Sequence, residues 1–338
     1  MRRIAFLLAL ALVFTPIVGT AFAQTLKAVK DRGLLVCGVN EGLYGFSAAD
    51  DKSNWGGFDV DFCRAIAAAI FNDPGKIKFV PLSADDRLNA LKAGTIDVLS
   101  RNTTWTMSRE ASLGLNFAAV TYYDGQGFLV RGALKVESAL ELGGKVVCAQ
   151  SGTTTELNLA DYFNANKMKY ELITAKSADE ALKAYESGRC NVLTSDISQL
   201  YAERLKLPNP DEHIILPDII SKEPLGPVVR QGDDQWFNIV KWMHFAMINA
   251  EELGVTSKTI DQAMTSEKPD VKRLVGTDGA YGEQIGLTRD WAARIIRLVG
   301  NYEEVFERNV GTGSKLGIPR GINNLWTNGG IQYAPPIR

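Results

Sequence analysis

Gly94-Thr95-Ile96-Asp97-Val98-Leu99-Ser100-Arg101-Asn102 returns 94 residues later as Gly188-Arg189-Cys190-Asn191-Val192-Leu193-Thr194-Ser195-Asp196. The last six positions are near copies, and each stretch follows a helical run that ends in its glycine. The chain therefore reads as built twice, from two α/β lobes that each present a polar loop at the carboxyl end of a parallel strand. Open α/β sheets bind their ligands at that end. The first loop leads to Arg109 and the second contains Asp196, a cation and an anion suited to the two ends of a zwitterion.

Outward from the repeat, strand and helix alternate in both halves. In the first, residues 34–39 read as a strand, followed by a turn through Gly42-Leu43-Tyr44-Gly45-Phe46. The helix after Gly57 has Val60, Cys63, Ile66, Ala67 and Ile70 on one face, the 3.6-residue period of an element packed on a sheet. A strand at 76–81, a short helix at 85–93 and a strand at 96–100 follow. The second half restarts with a strand at 145–150, a turn at Ser151-Gly152, a helix from about residue 154, a strand at 170–174, a helix at 178–187 and a strand at 191–195. This alternation predicts a parallel sheet in each lobe. Val36-Cys37-Gly38 and Val147-Cys148-Ala149 echo one another at the two starts.

Two extended stretches, Gly125-Gln126-Gly127-Phe128-Leu129-Val130-Arg131 and Pro224-Leu225-Gly226-Pro227-Val228-Val229-Arg230, lie between these units. If the chain leaves the first lobe through one and returns through the other, a two-strand hinge results, and glycine absorbs the backbone rotation of closure. The alternative is two ordinary edge strands. The predicted fold class is α/β, two Rossmann-like lobes joined by a two-strand hinge. The divisions are 1–23 a signal peptide, 24–128 the first part of lobe one, 129–227 lobe two, and 228–338 the return to lobe one with a C-terminal extension. In that extension Trp291, Ile295, Leu298, Tyr302 and Val305 share a helical face, interrupted by Gly300. The tail is expected to pack around lobe one, with oligomerisation as its alternative role.

Arg2 and Arg3 precede an apolar run at 4–14, and Ala21-Phe22-Ala23 gives the small-residue pattern of a cleavage site, so Gln24 is expected to open a mature exported chain. The run is shorter than the roughly 17 residues a bilayer-crossing helix needs. Cys37 is far beyond the cleavage site, which argues against a lipid-bearing N-terminal cysteine. Loss of Arg2 and Arg3 from a chain of net charge −2 leaves a mature net charge of −4. Mild acidity disfavours nucleic acid as a partner. Four cysteines in an exported chain permit three pairings. Pairing within lobes is favoured, Cys37 with Cys63 and Cys148 with Cys190, because the last two fall on strands expected to be neighbours. Buried free thiols are the alternative; a metal site is disfavoured by the absence of Cys-x-x-Cys and the distance of His213 and His244 from any cysteine cluster.

The loop Asn102-Thr103-Thr104-Trp105-Thr106-Met107-Ser108-Arg109 is dense in hydroxyls and ends in a guanidinium just after a strand. Arginine grips a carboxylate with two parallel charge-assisted hydrogen bonds, and Thr104 or Thr106 can fill the remaining lone pairs. Ser151-Gly152-Thr153-Thr154-Thr155-Glu156 enters a helix, Thr153 and Glu156 match a capping box, and free N–H groups there favour anions. Asp196 ends its strand as Asn102 does and suits an ammonium; helix capping is the competing role. Tyr44 could stack on a ligand with Glu41 as a polar contact, or simply pack in the core. No Gly-x-Ser-x-Gly elbow, Ser-x-x-Lys pair or His-Glu-x-x-His helix is present, and Gly311-Thr312-Gly313-Ser314-Lys315 lacks the full spacing of a phosphate loop. No cofactor is called for.

Gly57-Phe58-Asp59-Val60-Asp61, Leu91-Lys92-Ala93-Gly94-Thr95-Ile96-Asp97-Val98, Thr106-Met107-Ser108-Arg109 and Gly152-Thr153-Thr154 together resemble the extracytoplasmic solute-binding proteins of polar amino-acid ABC importers. Arg101-Asn102-Thr103-Thr104-Trp105-Thr106 and Tyr333-Ala334-Pro335-Pro336-Ile337-Arg338 are similar to the general L-amino-acid subgroup, with its broad specificity. The resemblance implies a type II periplasmic binding protein fold and a monomer, not an enzyme, that passes free L-amino acids to a membrane permease. By motif, it implies that Arg109, with Thr104 and the helix start at Gly152, Thr153 and Thr154, holds the α-carboxylate. Asp196 takes the α-ammonium, and Asn102 adds a contact. Subgroup members carry Pro where this chain has Tyr44, near the side-chain pocket. A dehydratase on the same scaffold and a sensory ligand-binding module are the alternatives.

Overall fold

A computed structural model describes residues 25–338, so the predicted signal peptide and Gln24 lie outside the described residues. Two five-stranded sheets organise the chain. The first has the order Ile77–Leu82, Leu35–Asn40, Val98–Leu99, Val228–Arg230, Leu115–Phe117. The second has the order Glu171–Ala175, Val146–Gln150, Val192–Asp196, Gln126–Arg131, His213–Ile215. In each, three parallel strands are followed by one that runs antiparallel to both its neighbours. The expected parallel sheets are therefore mixed, and the reason is the connection. A chain crossing between lobes enters each sheet at the carboxyl end of its parallel strands, so the strand it forms there must run the opposite way.

The crossing itself is Tyr122–Asp124 paired antiparallel with Glu223–Leu225. It lies just ahead of the first stretch the sequence singled out, whose Gln126–Arg131 already belongs to the second sheet. Pro224 lies opposite Tyr123. Its carbonyl accepts instead from Trp105 N at 2.8 Å, and Thr104 bridges to Leu225, so the loop after Val98–Leu99 adds a third line beside the hinge. On the other edge the Asn323 amide accepts from Tyr123 N at 2.7 Å and donates to Tyr123 O at 3.0 Å. A proline at a position turned away from its hinge partner costs no ladder bond.

The repeat is exact in register at its first residue. Asp97 accepts a hydrogen bond from Val36 N at 2.7 Å, and Asn191 accepts one from Val146 N at 3.1 Å. Cys37 pairs with Val98 as Val147 pairs with Val192. The echo of Val36-Cys37-Gly38 in Val147-Cys148-Ala149 is thus one residue out of step. Since strand side chains alternate, that single step places Cys37 and Cys148 on opposite faces of their sheets. Cys37 bonds Cys63 in the helix Phe58–Phe71, and Cys148 bonds Cys190 just before the strand Val192–Asp196. Both are the predicted pairs, and each contributes roughly 2–4 kcal/mol by restricting the unfolded chain.

The helix Phe58–Phe71 is buried well beyond the single face its periodicity predicts. Helices Asp234–Glu252, Trp291–Leu298 and Tyr302–Asn309, all from the returning chain, pack on it. Phe58 meets Tyr122, Tyr302 and Phe306 edge-on at 5.9, 5.9 and 6.1 Å, which joins helix, hinge and extension in one aromatic cluster. Gly300 (φ 104°) divides the predicted long helix in two. The tail packs on the same unit: Arg320 pairs with Glu251 at 3.0 Å and lies over the rings of Tyr302 and Phe306.

Candidate binding site between the lobes

The loop that ends Val98–Leu99 owes its shape to one buried carboxylate. Asp59, near the start of its helix, accepts from Ser100 Oγ at 3.0 Å and from Asn102 N at 2.8 Å, which holds Asn102 at φ 29°. Burial pushes the Asp59 carboxyl up to about 6 despite these bonds. Asn102 in turn accepts from Asn40 at 3.0 Å and reaches across to donate to Gln199 at 3.4 Å, a direct contact between the two sheets' loops. Arg101 donates to Leu82 O at 2.9 Å, and burial lowers its guanidinium to about 10.

Arg109 sits in the helix Met107–Leu113, whose first turn is capped by Thr106 Oγ1, the acceptor for Arg109 N at 3.3 Å. Its guanidinium donates to Thr104 O at 2.9 Å. Burial depresses its pKa, and the charges of Asp196 and Glu223 oppose that shift. Thr104 therefore serves twice, as a neighbour of the hinge strand and as the acceptor that aims Arg109.

Asp196 stands at the N-terminal cap position of the helix Ile197–Arg204, yet its side chain makes no capping bond. That work falls to Asp124 on the hinge, whose two oxygens accept from Ser198 N at 3.4 and 3.3 Å. Burial first, then Asp124 and Glu223, push the Asp196 carboxyl well above the usual range, against the pull of Arg87 and Arg109. Asp124 itself is raised to about 6 by burial. Glu223 lies opposite Asp124 across the hinge and accepts from Thr154 Oγ1 at 2.9 Å, Ser221 Oγ at 2.7 Å and Asn158 at 2.6 Å.

The expected capping box at Thr153 and Glu156 does not form. Thr153 Oγ1 donates to Gln150 O and accepts from Thr155 N, while Thr154 turns to Glu223. With the Thr155 N–H taken by Thr153 Oγ1, the next N–H groups in the first turn of Thr155–Ala165 receive no side-chain cap from Thr154. Gly152 (φ 71°) packs against Asp85 of the first lobe so closely that a Cβ would strike its carboxylate.

These residues meet around a narrow interlobe cavity of about 10 Å³, whose walls include Arg87, Asn102, Thr104, Thr154 and Asp196. Arg101 and Gln150 are also among its walls and continue into a second, outer chamber beside Glu41. Arg109 is not among its walls but lies within electrostatic reach of Asp196. Tyr44 is 38% exposed, which sets aside the core role, and it is not among the walls of either chamber. Arg87, Asp124 and Glu223 are the residues sequence reasoning missed. Arg87 opens the helix Arg87–Lys92, just past the end of the strand Ile77–Leu82, so the same rule that singled out Asn102 applied to it. It is 3% exposed and its Nε has no hydrogen-bond partner. Burial and the nearby Arg101 and Arg109 push its pKa well below the ordinary value. Two guanidiniums and a carboxylate thus face one small volume from opposite lobes.

Residues 35–259 match the model of the bacterial extracellular solute-binding proteins, family 3. The chain is 60% identical over 320 residues to the general L-amino acid-binding periplasmic protein AapJ of Rhizobium johnstonii, covering 94% of each. It is 48% identical over 339 residues to the glutamate/glutamine/aspartate/asparagine-binding protein BztA of Rhodobacter capsulatus, covering 100% of each. Among solved structures it superposes on an ABC transporter periplasmic binding protein from Brucella ovis with glutathione bound, with a TM-score of 0.92 and 54% identity. That match covers 94% of this chain and 100% of the other. A family model spanning most of the chain, relatives matched end to end, and a whole-fold superposition agree with the two sheets, the hinge and the cleft. The chain belongs to the bacterial extracellular solute-binding proteins, family 3.

Proposed function

We propose that this protein is the periplasmic substrate-binding component of an ABC importer, which takes L-amino acids of varied side chain between two closing lobes and passes them to a membrane permease. The carrying observation is that complementary charges from opposite lobes face one interlobe cavity: Arg87 and Arg101 from one side, Asp196 from the other. In this reading the ligand carboxylate takes Arg109, Arg87 and the helix start at Gly152, Thr153 and Thr154, with Thr104 and Asn102 completing the cradle. The ammonium takes Asp196, backed by the hinge carboxylates Asp124 and Glu223. Half the ligand's polar partners then belong to each lobe, so binding shifts an open–closed equilibrium toward closure. The names of the two relatives above support the amino-acid class. A monomeric, periplasmic state is part of the same proposal, as are the divisions 24–128, 129–227 and 228–338, with lobe two drawn back to begin at the strand Gln126–Arg131.

The test is calorimetry of the mature protein against the common L-amino acids, with Arg109→Ala and Asp196→Ala beside wild type and melting curves to verify folding. Micromolar affinity, about −8 kcal/mol, is expected for wild type, and loss of binding in both variants. Unchanged affinity in both would remove the site. Recovery of the ligand as a new chemical species would favour an enzyme on this scaffold instead. Glutathione belongs in the panel, because it is bound in the Brucella structure and its γ-glutamyl end carries the same ammonium and carboxylate.

A further inference from the structure

The C-terminal extension encloses a cavity of about 260 Å³ against the end of the helix Asp234–Glu252 and the helix Pro269–Val275. It shares no wall with the interlobe chambers, and apart from Asn249, Glu252 and Leu253 its walls all lie beyond residue 259, where the family match ends. The clasp between the lobes makes no use of it. Its size is a little below the roughly 300–1,000 Å³ of pockets for drug-sized ligands, which suits a small organic molecule.

Two of its walls form an aromatic corner. Trp326 and Tyr333 are 50% and 65% exposed, and their rings meet at 5.5 Å and 67°, edge against face. Backbone bonds fix the corner: Gln332 O accepts from Trp326 N at 3.0 Å, and Asn324 O accepts from Gln332 N at 3.0 Å. The Asn249 amide clamps the tail to its helix by donating to Pro335 O at 2.9 Å. Large rings left in water forgo the burial that would stabilise the fold. The same tail buries Leu325 and Ala334, so a surface position alone does not force the two rings outward.

Glu252 is exposed at the same cavity and forms no ion pair among the described residues, while Asp270 shares its charge with Arg273. The chain's own cations leave the corner open. Among the described residues no lysine or arginine stacks on Trp326 or Tyr333, although Arg320 lies over Tyr302 and Phe306. We propose that this cavity is a binding site for a small organic cation of the quaternary-ammonium class, its alkylated head against Trp326 and Tyr333 and its charge balanced by Glu252. Such a head has no N–H to donate, so ring faces and one carboxylate satisfy it; a primary ammonium asks for several short hydrogen bonds that Glu252 alone does not supply. A neighbouring cavity of about 100 Å³ has Trp242, Tyr281 and Trp291 among its walls but no acidic side chain, which leaves the cation to the larger one. The site is separate from the cleft and does not rest on the amino-acid reading.

The experiment titrates the mature protein with choline, with neohexyl alcohol, which has carbon in place of choline's charged nitrogen, and with glucose. Ligand-observed nuclear magnetic resonance follows binding to wild type, Trp326→Ala and Glu252→Gln. Both substitutions are at exposed positions, and a melting curve verifies the fold of each protein. Choline is expected to bind saturably at millimolar concentration or below, and the uncharged isostere about fivefold more weakly or worse. Trp326→Ala is expected to weaken choline about fivefold or more, and Glu252→Gln by about two- to threefold, the scale of an exposed charge pair. Choline that does not bind wild type at about 10 mM overturns the site, as does choline binding that survives both substitutions. An isostere that binds as well as choline makes the cavity merely apolar, and glucose that binds in preference through the same two residues makes it a sugar platform; either result overturns the cation assignment. Alanine titrated into the same proteins reports on the cleft separately, so failure of the amino-acid reading leaves the choline result standing.

Discussion

Arg87 pays for its position with a buried guanidinium whose Nε finds no partner, and a charge so placed lowers the stability of any fold that carries it. The compensation is a cation held ready at the cavity wall, beside Arg101 and against Asp196. Arg87→Met should therefore separate the two effects. The ligand-free variant is expected to melt at a higher temperature than wild type, by the equivalent of about 1 kcal/mol or more, because an unsatisfied charge is replaced by an apolar chain of similar length. Its amino-acid affinity is expected to fall by roughly 10- to 100-fold, the worth of one charged hydrogen bond or two. Scanning calorimetry without ligand and titration calorimetry with it measure the two halves. A variant that is both less stable and unaltered in affinity would make Arg87 a structural residue. Nothing in the residues Asp85-Asp86-Arg87 distinguishes this arginine from a surface charge; only its place after a strand end does so. Asp196, by contrast, was legible from the repeat. What the repeat could not say is that Asp124, from the hinge, would take over the capping work and leave Asp196 free.

At the scale of elements, the hinge is also part of the site's electrostatics. Asp124 and Glu223 are cross-strand partners in it, and like charges facing one another destabilise a strand pair. Burial raises Asp124 to about 6 and pushes Asp196 well above the ordinary carboxylate range, while Arg87 and Arg109 face Asp196 from the other lobe. The sign follows directly. A carboxyl raised in the folded state is a penalty above its folded pKa, and that penalty is relieved as pH falls toward the lower, unfolded value. Ligand binding runs the opposite way, because an ammonium needs the ionised carboxylates. Alanine affinity is thus expected to weaken as pH falls, with a break set by the carboxylates that must ionise and a slope of up to about tenfold per pH unit for one linked proton. Asp124→Asn should move that break to a different pH without abolishing binding. A pH-independent affinity from 5 to 8 would disconnect the hinge carboxylates from the ammonium site. The glycine- and proline-rich crossings were readable in sequence, yet the paired segment fell a few residues earlier than expected. Tyr122–Asp124 has no composition that sets it apart; its pairing is decided by Glu223–Leu225 and by Asn323, two hundred residues away from Tyr123 in the chain.

For the molecule as a whole, the sequence repeat predicts two sheets of one design, and the shared strand order is that design. Its departures come from contacts that no local pattern encodes: the antiparallel strand that each crossing inserts, and the one-residue step that sends the two disulfides to opposite faces. The same two-sheet design makes closure the decisive global coordinate, and the structure places the lobes in contact at Asn102 with Gln199 and at Gly152 with Asp85. Glycine suits the second contact on two counts. Gly152 has φ 71°, where a side chain costs roughly 1–2 kcal/mol, and its Cβ would strike the Asp85 carboxylate from across the cleft. In an open form the steric half of that penalty vanishes, since Asp85 moves away with its lobe, while the backbone half remains. Gly152→Val should therefore lower stability modestly but oppose closure strongly. Small-angle scattering is expected to show wild type contracting when a saturating amino acid is added, and the variant keeping its ligand-free dimensions with affinity reduced by about tenfold or more, the share of binding energy that closure supplies. Contraction of the variant to the wild-type closed dimensions would mean that the Asp85 contact is incidental to the closed state.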